Sequence, residues 1–213
     1  MIKVEIDCQK FPKVKSYKNK EVKDSLKAAH HNKCCYCETK TTAGGGIDHF
    51  RPKSVYYWLK NDCENLLWAC SRCNVESKGA KLPVKEKKAT EPDNVSTCNQ
   101  KEELMMYNPA RSNEKEWQIE FNKKGEIFSV NPIMQNTIDI CKLNDEKLVI
   151  ARLEVFQTLE KEIYTMKKYN LPLTHLQKYF VEPINKDKFI EYIAFRKYIV
   201  RKLLNDLLMK TLQ

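Results

Sequence analysis

Two Cys-x-x-Cys pairs, Cys34/Cys37 and Cys70/Cys73, stand on either side of GGGIDHFRPKS, residues 44–54. Zinc favours tetrahedral sulfur ligation, and a Cys-x-x-Cys turn brings two thiolates to one ion from a single knuckle. Two such pairs read as one zinc cage around an insert. Cys35 also precedes Cys37, but C-Y-C is a poorer chelate, so Cys34 is the expected ligand. A cage of this kind contributes on the order of 10 kcal/mol to folding, which makes zinc a fastener here and not a catalyst.

The insert holds Asp48 and His49, the latter one of only four histidines. Neighbours on a strand point to opposite faces unless a bend intervenes. They can share a site if the carboxylate turns to a metal and the imidazole to a water. Phosphodiester hydrolysis asks for a base, for positive charge on the phosphoryl oxygens and for stabilisation of the leaving oxygen. Histidine suits the first, since its pKa lies near neutrality. A hard divalent cation on one or two protein oxygens, Mg²⁺ or Mn²⁺, suits the others. Asp48 and Asn74 are the oxygen donors for that ion, and the cage fixes the distance between them. Asn65 can bridge backbone groups across the loop and hold the direction of the imidazole.

The elements around these residues follow from periodicity. KEVKDSLKAAHHN, residues 20–32, spaces Val22, Leu26 and Ala29 as one face of a short helix. CCYCE is a compact turn and TTAGGG a loop, its glycines giving slack before a short strand, IDHFRP, that Pro52 closes. NLLWACSRCNVESKG starts apolar and becomes helical around the second cysteine pair, with Gly79 as its stop. Residues 80–103 are lysine-rich and polar and read as a long linker. WQIEFNKKGEIFSV alternates about a Lys123-Lys124-Gly125 turn, a hairpin signal. Leu148, Phe156, Leu159, Ile163 and Met166 then stripe one helix, with Asn144 as its N-cap and Pro172 as its break. A last helix starts near Lys186.

The expected fold is therefore α+β and mainly helical. A zinc-held finger with its helix and basic linker occupies residues 1–103, and a hairpin with a helical region occupies 104–213. Charged residues make up 31% and hydrophobic ones 42%, which suits a folded chain. No apolar run nears the roughly 20 residues that span a bilayer, and the first residues lack the core of a signal peptide. A cytoplasmic protein with reduced thiols is the expectation. Cys8, Cys63, Cys98 and Cys141 then read as lone, small core residues. A net charge of +10 favours a polyanion, and lysines at 13–27 and 78–88 bracket the proposed site.

C-x-x-C, D-H, N, then C-x-x-C-N with a nearby lysine resembles the zinc-stabilised HNH endonucleases, which are built on a ββα-metal finger. CCYCE, IDHFRPKS, NLLWACSRCN, YNPA and TIDICKLNDEKLVIAR resemble one branch more closely, the HNH nuclease of the Septu anti-phage system, also found as a retron effector. The motif core covers residues 30–83, and looser similarity runs to about 152. The resemblance implies His49 as general base, Asp48 and Asn74 on the catalytic metal, and Asn65 orienting the loop. Arg51, Lys53 and Lys78 would contact phosphates. It further implies DNA as substrate and an ABC/SMC-like ATPase as partner subunit. One departure is visible, for the lysine often follows the last metal-ligand position by three residues and here follows it by four.

Two other readings stay open. A zinc-finger module of the same lineage would grip nucleic acid or protein without cutting it. An effector that cleaves RNA, tRNA included, would use the same base and metal. The helices beyond residue 144 serve as core, as a docking surface for the partner, or both.

Overall fold

The computed structural model describes residues 4–12, 16–42, 44–169 and 190–211, without the side chains of Lys167 and of residues 204–211. Helix α1, Lys20–Ala29, begins where the Asn19 side chain accepts the Glu21 N–H at 2.8 Å. It buries Val22 and Leu26. The helix stops short of the expected residue 32 because His31 and Asn32 turn to positive φ, 52° and 56°. A tight knuckle, residues 34–37, follows and closes with Glu38 N–H on Cys34 O at 3.0 Å.

Strands β1, Gly45–His49, and β2, Leu66–Cys70, pair antiparallel with Asp48 opposite Leu67 and His49 opposite Leu66. Gly45 and Gly46 therefore lie inside the strand and are not slack before it. A Cβ on Gly45 would come within 2.5 Å of the Trp68 ring, so the indole lies flat where only glycine leaves room. That indole donates to Thr41 Oγ1 at 2.8 Å. A π-helical turn, Arg72–Lys78, completes a ββα unit and ends at Gly79, whose φ of +52° lets the chain reverse.

Residues 80–103 are not a bare linker. They include α2, Val95–Lys101, and pack Ala89, Val95 and Cys98 against Tyr56 and Leu59 in a second apolar cluster. The expected hairpin forms from β3, Ile119–Phe121, and β4, Ile127–Ser129. Helix α3, Pro132–Ile140, has Pro at its first turn and Asn131 as cap. Helix α4, Glu146–Lys168, is capped by Asp145, whose carboxylate takes the Lys147 N–H at 3.1 Å. Asn144, expected in that role, clasps Ile127 through both its backbone groups instead. Helix α5, Ile193–Thr211, packs on α4 and sets Phe195 5.0 Å from Phe121. Pro172 and the start of the last helix near Lys186 lie outside the described residues. The main core runs from Val4 to Val200 and so joins the finger to the hairpin and helices. Among the described residues no helix is long and apolar enough to cross a membrane.

Cys8 and Cys63 form a disulfide with Cα atoms 5.8 Å apart, which corrects the expectation of two lone thiols. Spacing could not disclose a pair 55 residues apart. Cys98 and Cys141 are buried free thiols, as small core residues would be.

His30 stitches α1 to β2. Its Nδ1 lies 2.7 Å from Leu26 O and must donate, while Nε2 accepts the Trp68 N–H at 3.3 Å. Both bonds demand the neutral ring, and burial pushes its pKa from 6.5 down to about 4. As pH falls, the unfolded chain takes up this proton first, so stability is full above the ordinary histidine pKa and drains away down to the folded one. The loss expected is about 3 kcal/mol. Urea midpoints measured across that range should fall more steeply for the wild type than for His30→Gln; equal slopes would refute the assignment.

Candidate active site and metal cage

The four expected zinc ligands converge. Cys34 and Cys37 come from the knuckle, Cys70 from the end of β2 and Cys73 from the π turn. Their ligand atoms all lie within 4.8 Å of one another. Cys37 Sγ and Cys70 Sγ are 3.7 Å apart, the edge expected of a tetrahedron built on Zn–S bonds of about 2.3 Å. Hydrogen bonds from the other three thiols pull the Cys37 thiol well below its ordinary range. Burial pushes the Cys34 thiol well above its own. Sulfurs this close can become thiolates together only around a cation, so the donor set fits zinc.

His49 is held from two sides and is 7% exposed. Its Nε2 lies 3.0 Å from Lys60 O, the carbonyl just after the short helix Tyr57–Leu59. A carbonyl only accepts, so Nε2 carries the hydrogen and Nδ1 keeps the lone pair that a base needs. The Tyr17 ring stands edge-on to the imidazole at 4.7 Å. Burial lowers the His49 pKa, the Lys60 carbonyl opposing and Lys53 adding to the shift, which keeps the ring neutral near pH 7.

Asn65 braces the loop that follows. Its Oδ1 accepts the Arg51 N–H at 2.7 Å, and its Nδ2 donates to Arg51 O at 3.0 Å and Leu59 O at 3.3 Å. It bridges backbone groups as the sequence suggests, but the bond that directs the imidazole comes from Lys60.

Asp48 points to the other face of β1. Tyr36 OH donates to Oδ2 at 2.7 Å and Lys78 Nζ to Oδ1 at 2.9 Å. Lys78 also bonds His49 O at 2.8 Å, and its side chain is fully buried. The extra residue between Asn74 and Lys78 is absorbed by the π turn, in which Gly79 N–H reaches back to Asn74 O at 2.9 Å. Val75, 68% exposed, is expelled to solvent, and Lys78 keeps the strand-facing side. Asn74 lies beside the same strand, its Nδ2 on Ile47 O at 3.2 Å. With both its oxygens engaged and 2% exposure, Asp48 does not fit a hydrated Mg²⁺ in this arrangement, since that ion keeps most of its waters.

Of the three cations expected on phosphates, only Lys53 faces solvent. Lys78 is spent on Asp48. Arg51 is buried against Glu102, its Nε 3.1 Å from Oε2. Glu102 also accepts from Tyr56 OH and from the Lys88 and Ala89 N–H groups, so it pins residues 80–103 to the loop after His49. Four residues of the site were not foreseen: Tyr17 and Lys60, which flank His49, and Tyr36 and Glu102. Tyr36 sits inside the CCYCE turn, where its own bulk gives a reason to be buried, and Glu102 lies in what reads as a polar linker.

An antiparallel hairpin, a short helical turn across it and four convergent cysteines define a ββα finger of the metal-cage class. Over a 170-residue alignment the chain is 31% identical to the Septu protein PtuB of Bacillus mycoides (strain KBAB4), covering 71% of this chain and 56% of that protein. It is a homologue of PtuB. A second alignment, 23% identical, covers 82% of this chain and 26% of the Septu protein PtuA of the same strain. The chain thus spans about half of the first relative and a quarter of the second. No family model matches it.

Proposed function

We propose that the chain is an HNH endonuclease that hydrolyses phosphodiester bonds of nucleic acid, with DNA the favoured substrate, as the nuclease of a Septu-type defence complex. One observation carries this reading: a buried, neutral imidazole fixed at Nε2 by a backbone carbonyl, on the strand of a ββα finger that four cysteines clamp. His49 Nδ1 takes the proton of the attacking water. Asn65 keeps the loop in shape through Arg51 and Leu59, and Lys53 meets the phosphate. Cys34, Cys37, Cys70 and Cys73 would hold Zn²⁺, which supplies rigidity and no chemistry.

The resemblance adds Mg²⁺ or Mn²⁺ at Asp48 and Asn74. Lys78 and that ion compete for the same carboxylate. The relation to PtuB, and to a segment of PtuA, supports an ATPase partner of the PtuA kind. Ile150 and Tyr164, exposed on α4, are candidates to meet it.

His49→Ala should lower cleavage by about 10²–10⁴-fold, with zinc content and urea midpoint retained. Nicking assays on plasmid DNA and on RNA, run with Mg²⁺ and with Mn²⁺ in the presence of the partner, provide the readout. Undiminished cleavage by the variant would remove His49 from the mechanism. Binding without cleavage by the wild type would favour the zinc-finger module.

A further inference from the structure

Three exposed lysines belong to the segments that build the cover of His49: Lys53 lies against the Tyr17 ring, Lys18 follows Tyr17 in the chain, and Lys60 supplies the carbonyl on the imidazole. Lys53 Nζ lies 2.6 Å from Tyr17 OH and 4.9 Å from the centre of the Tyr17 ring. Lys60 contributes the carbonyl that holds His49. Lys18 follows Tyr17 directly, with its N–H on Ser16 Oγ at 3.2 Å. Tyr17 is itself anchored, its backbone N–H donating to Asn61 Oδ1 at 2.9 Å. All three ammonium groups pull the Tyr17 phenol below its usual pKa, the Lys53 hydrogen bond foremost. Asp62, two residues from Lys60, caps Glu64 N–H at 2.9 Å.

Among the described residues, none of the three lysines is ion-paired with a carboxylate, in contrast to the buried pairs that consume Arg51 and Lys78. Unpaired ammonium groups at the mouth of a site, each on a flexible stem, suit a partner that carries repeated single negative charges. We propose that Lys18, Lys53 and Lys60 form the rim that grips the phosphodiester backbone next to the scissile bond, with Tyr17 as the positioning residue that holds Lys53 in that rim. This rests on the nuclease reading and assigns its substrate contacts to residues other than Arg51 and Lys78.

Because base contacts play no part in such a rim, it grips strands of any sequence and sets the register of the backbone against His49. The Tyr17 hydroxyl acts through Lys53, so the effect of removing it depends on Lys53 being present.

The test uses fluorescence anisotropy with a short fluorescein-labelled DNA oligonucleotide, single-stranded and as a duplex, titrated over a range of salt. The full chain carries His49→Gln to prevent cutting. Each of Lys18→Ala, Lys53→Ala and Lys60→Ala should flatten the slope of log affinity against log salt by about 0.7 for the single strand and about 0.9 for the duplex. Lys147→Ala on α4, the same change in charge, should leave it alone. Tyr17→Phe should weaken binding when Lys53 is present and have no further effect in Lys53→Ala. Unchanged slopes in all three rim variants, or an equal change in Lys147→Ala, overturn the rim. An effect of Tyr17→Phe that persists in Lys53→Ala overturns the role of Tyr17. The nuclease reading fails separately: a rim that binds as described in a chain that never cuts leaves the rim standing without the enzyme.

Discussion

Cys70→Ser is expected to unfold the finger and to lower zinc content below one ion per chain. Each strand of the β1–β2 hairpin has five residues, and a two-stranded hairpin on its own is marginal in water. The π turn adds a rare and weakly bonded helical form. What holds the three parts in register is the sulfur cluster, where Cys73 N–H also donates to Cys70 Sγ at 3.4 Å. A structural zinc site of this kind is worth on the order of 10 kcal/mol, comparable with the whole 5–15 kcal/mol or so of a typical domain. Removing one thiolate should therefore abolish the cooperative urea transition of the finger. The check pairs a zinc-release assay with near-ultraviolet circular dichroism, since Trp68 packs on Gly45 within the finger. A Cys70→Ser protein with one zinc per chain and an unchanged midpoint would refute the cage. The disulfide gives a control: reducing Cys8–Cys63 at constant zinc should leave the cage loaded, since neither sulfur belongs to it.

The cage was legible in the sequence because ligand spacing is a local property of the chain. So was the hairpin turn at Gly125, and so was the arrest of the π turn at Gly79. What the sequence hid is long-range and polar. Arg51 beside Asp-His looks like a phosphate ligand, yet its charge is met 51 residues away by Glu102, which nothing in the local pattern of 80–103 announces. Cys8 finds Cys63 across a similar distance. Asn144 has the right type and place for a helix cap, but Asp145 is as good a cap, and the Ile127 backbone drew Asn144 away. Strand alternation did predict that Asp48 and His49 face apart. The further step, that an ammonium would take the Asp48 side, depends on a π turn that periodicity does not reveal.

Lys78→Met is expected to cost about 3–5 kcal/mol, the usual consequence of leaving one partner of a buried ion pair alone. Lys78 and Asp48 have side-chain exposures of 0% and 2%, so neither charge can turn to water without opening the finger. Among the described residues, Tyr36 OH would remain as the only side-chain donor to the Asp48 carboxylate. The variant also decides which cation this carboxylate serves. If Lys78 is its resident partner, Mg²⁺ or Mn²⁺ should leave the wild-type stability unchanged and raise that of Lys78→Met, by about 2.7 kcal/mol at a concentration a hundredfold above the dissociation constant. If Asp48 is a divalent-metal ligand in the working protein, the same ions should stabilise the wild type as well, with Lys78 displaced. The double variant Asp48→Asn/Lys78→Met closes the cycle. It removes both charges, so it should be more stable than Lys78→Met alone and should lose the response to metal. A metal response that survives Asp48→Asn would move the cation away from this carboxylate altogether and leave His49 to act beside a fixed ammonium.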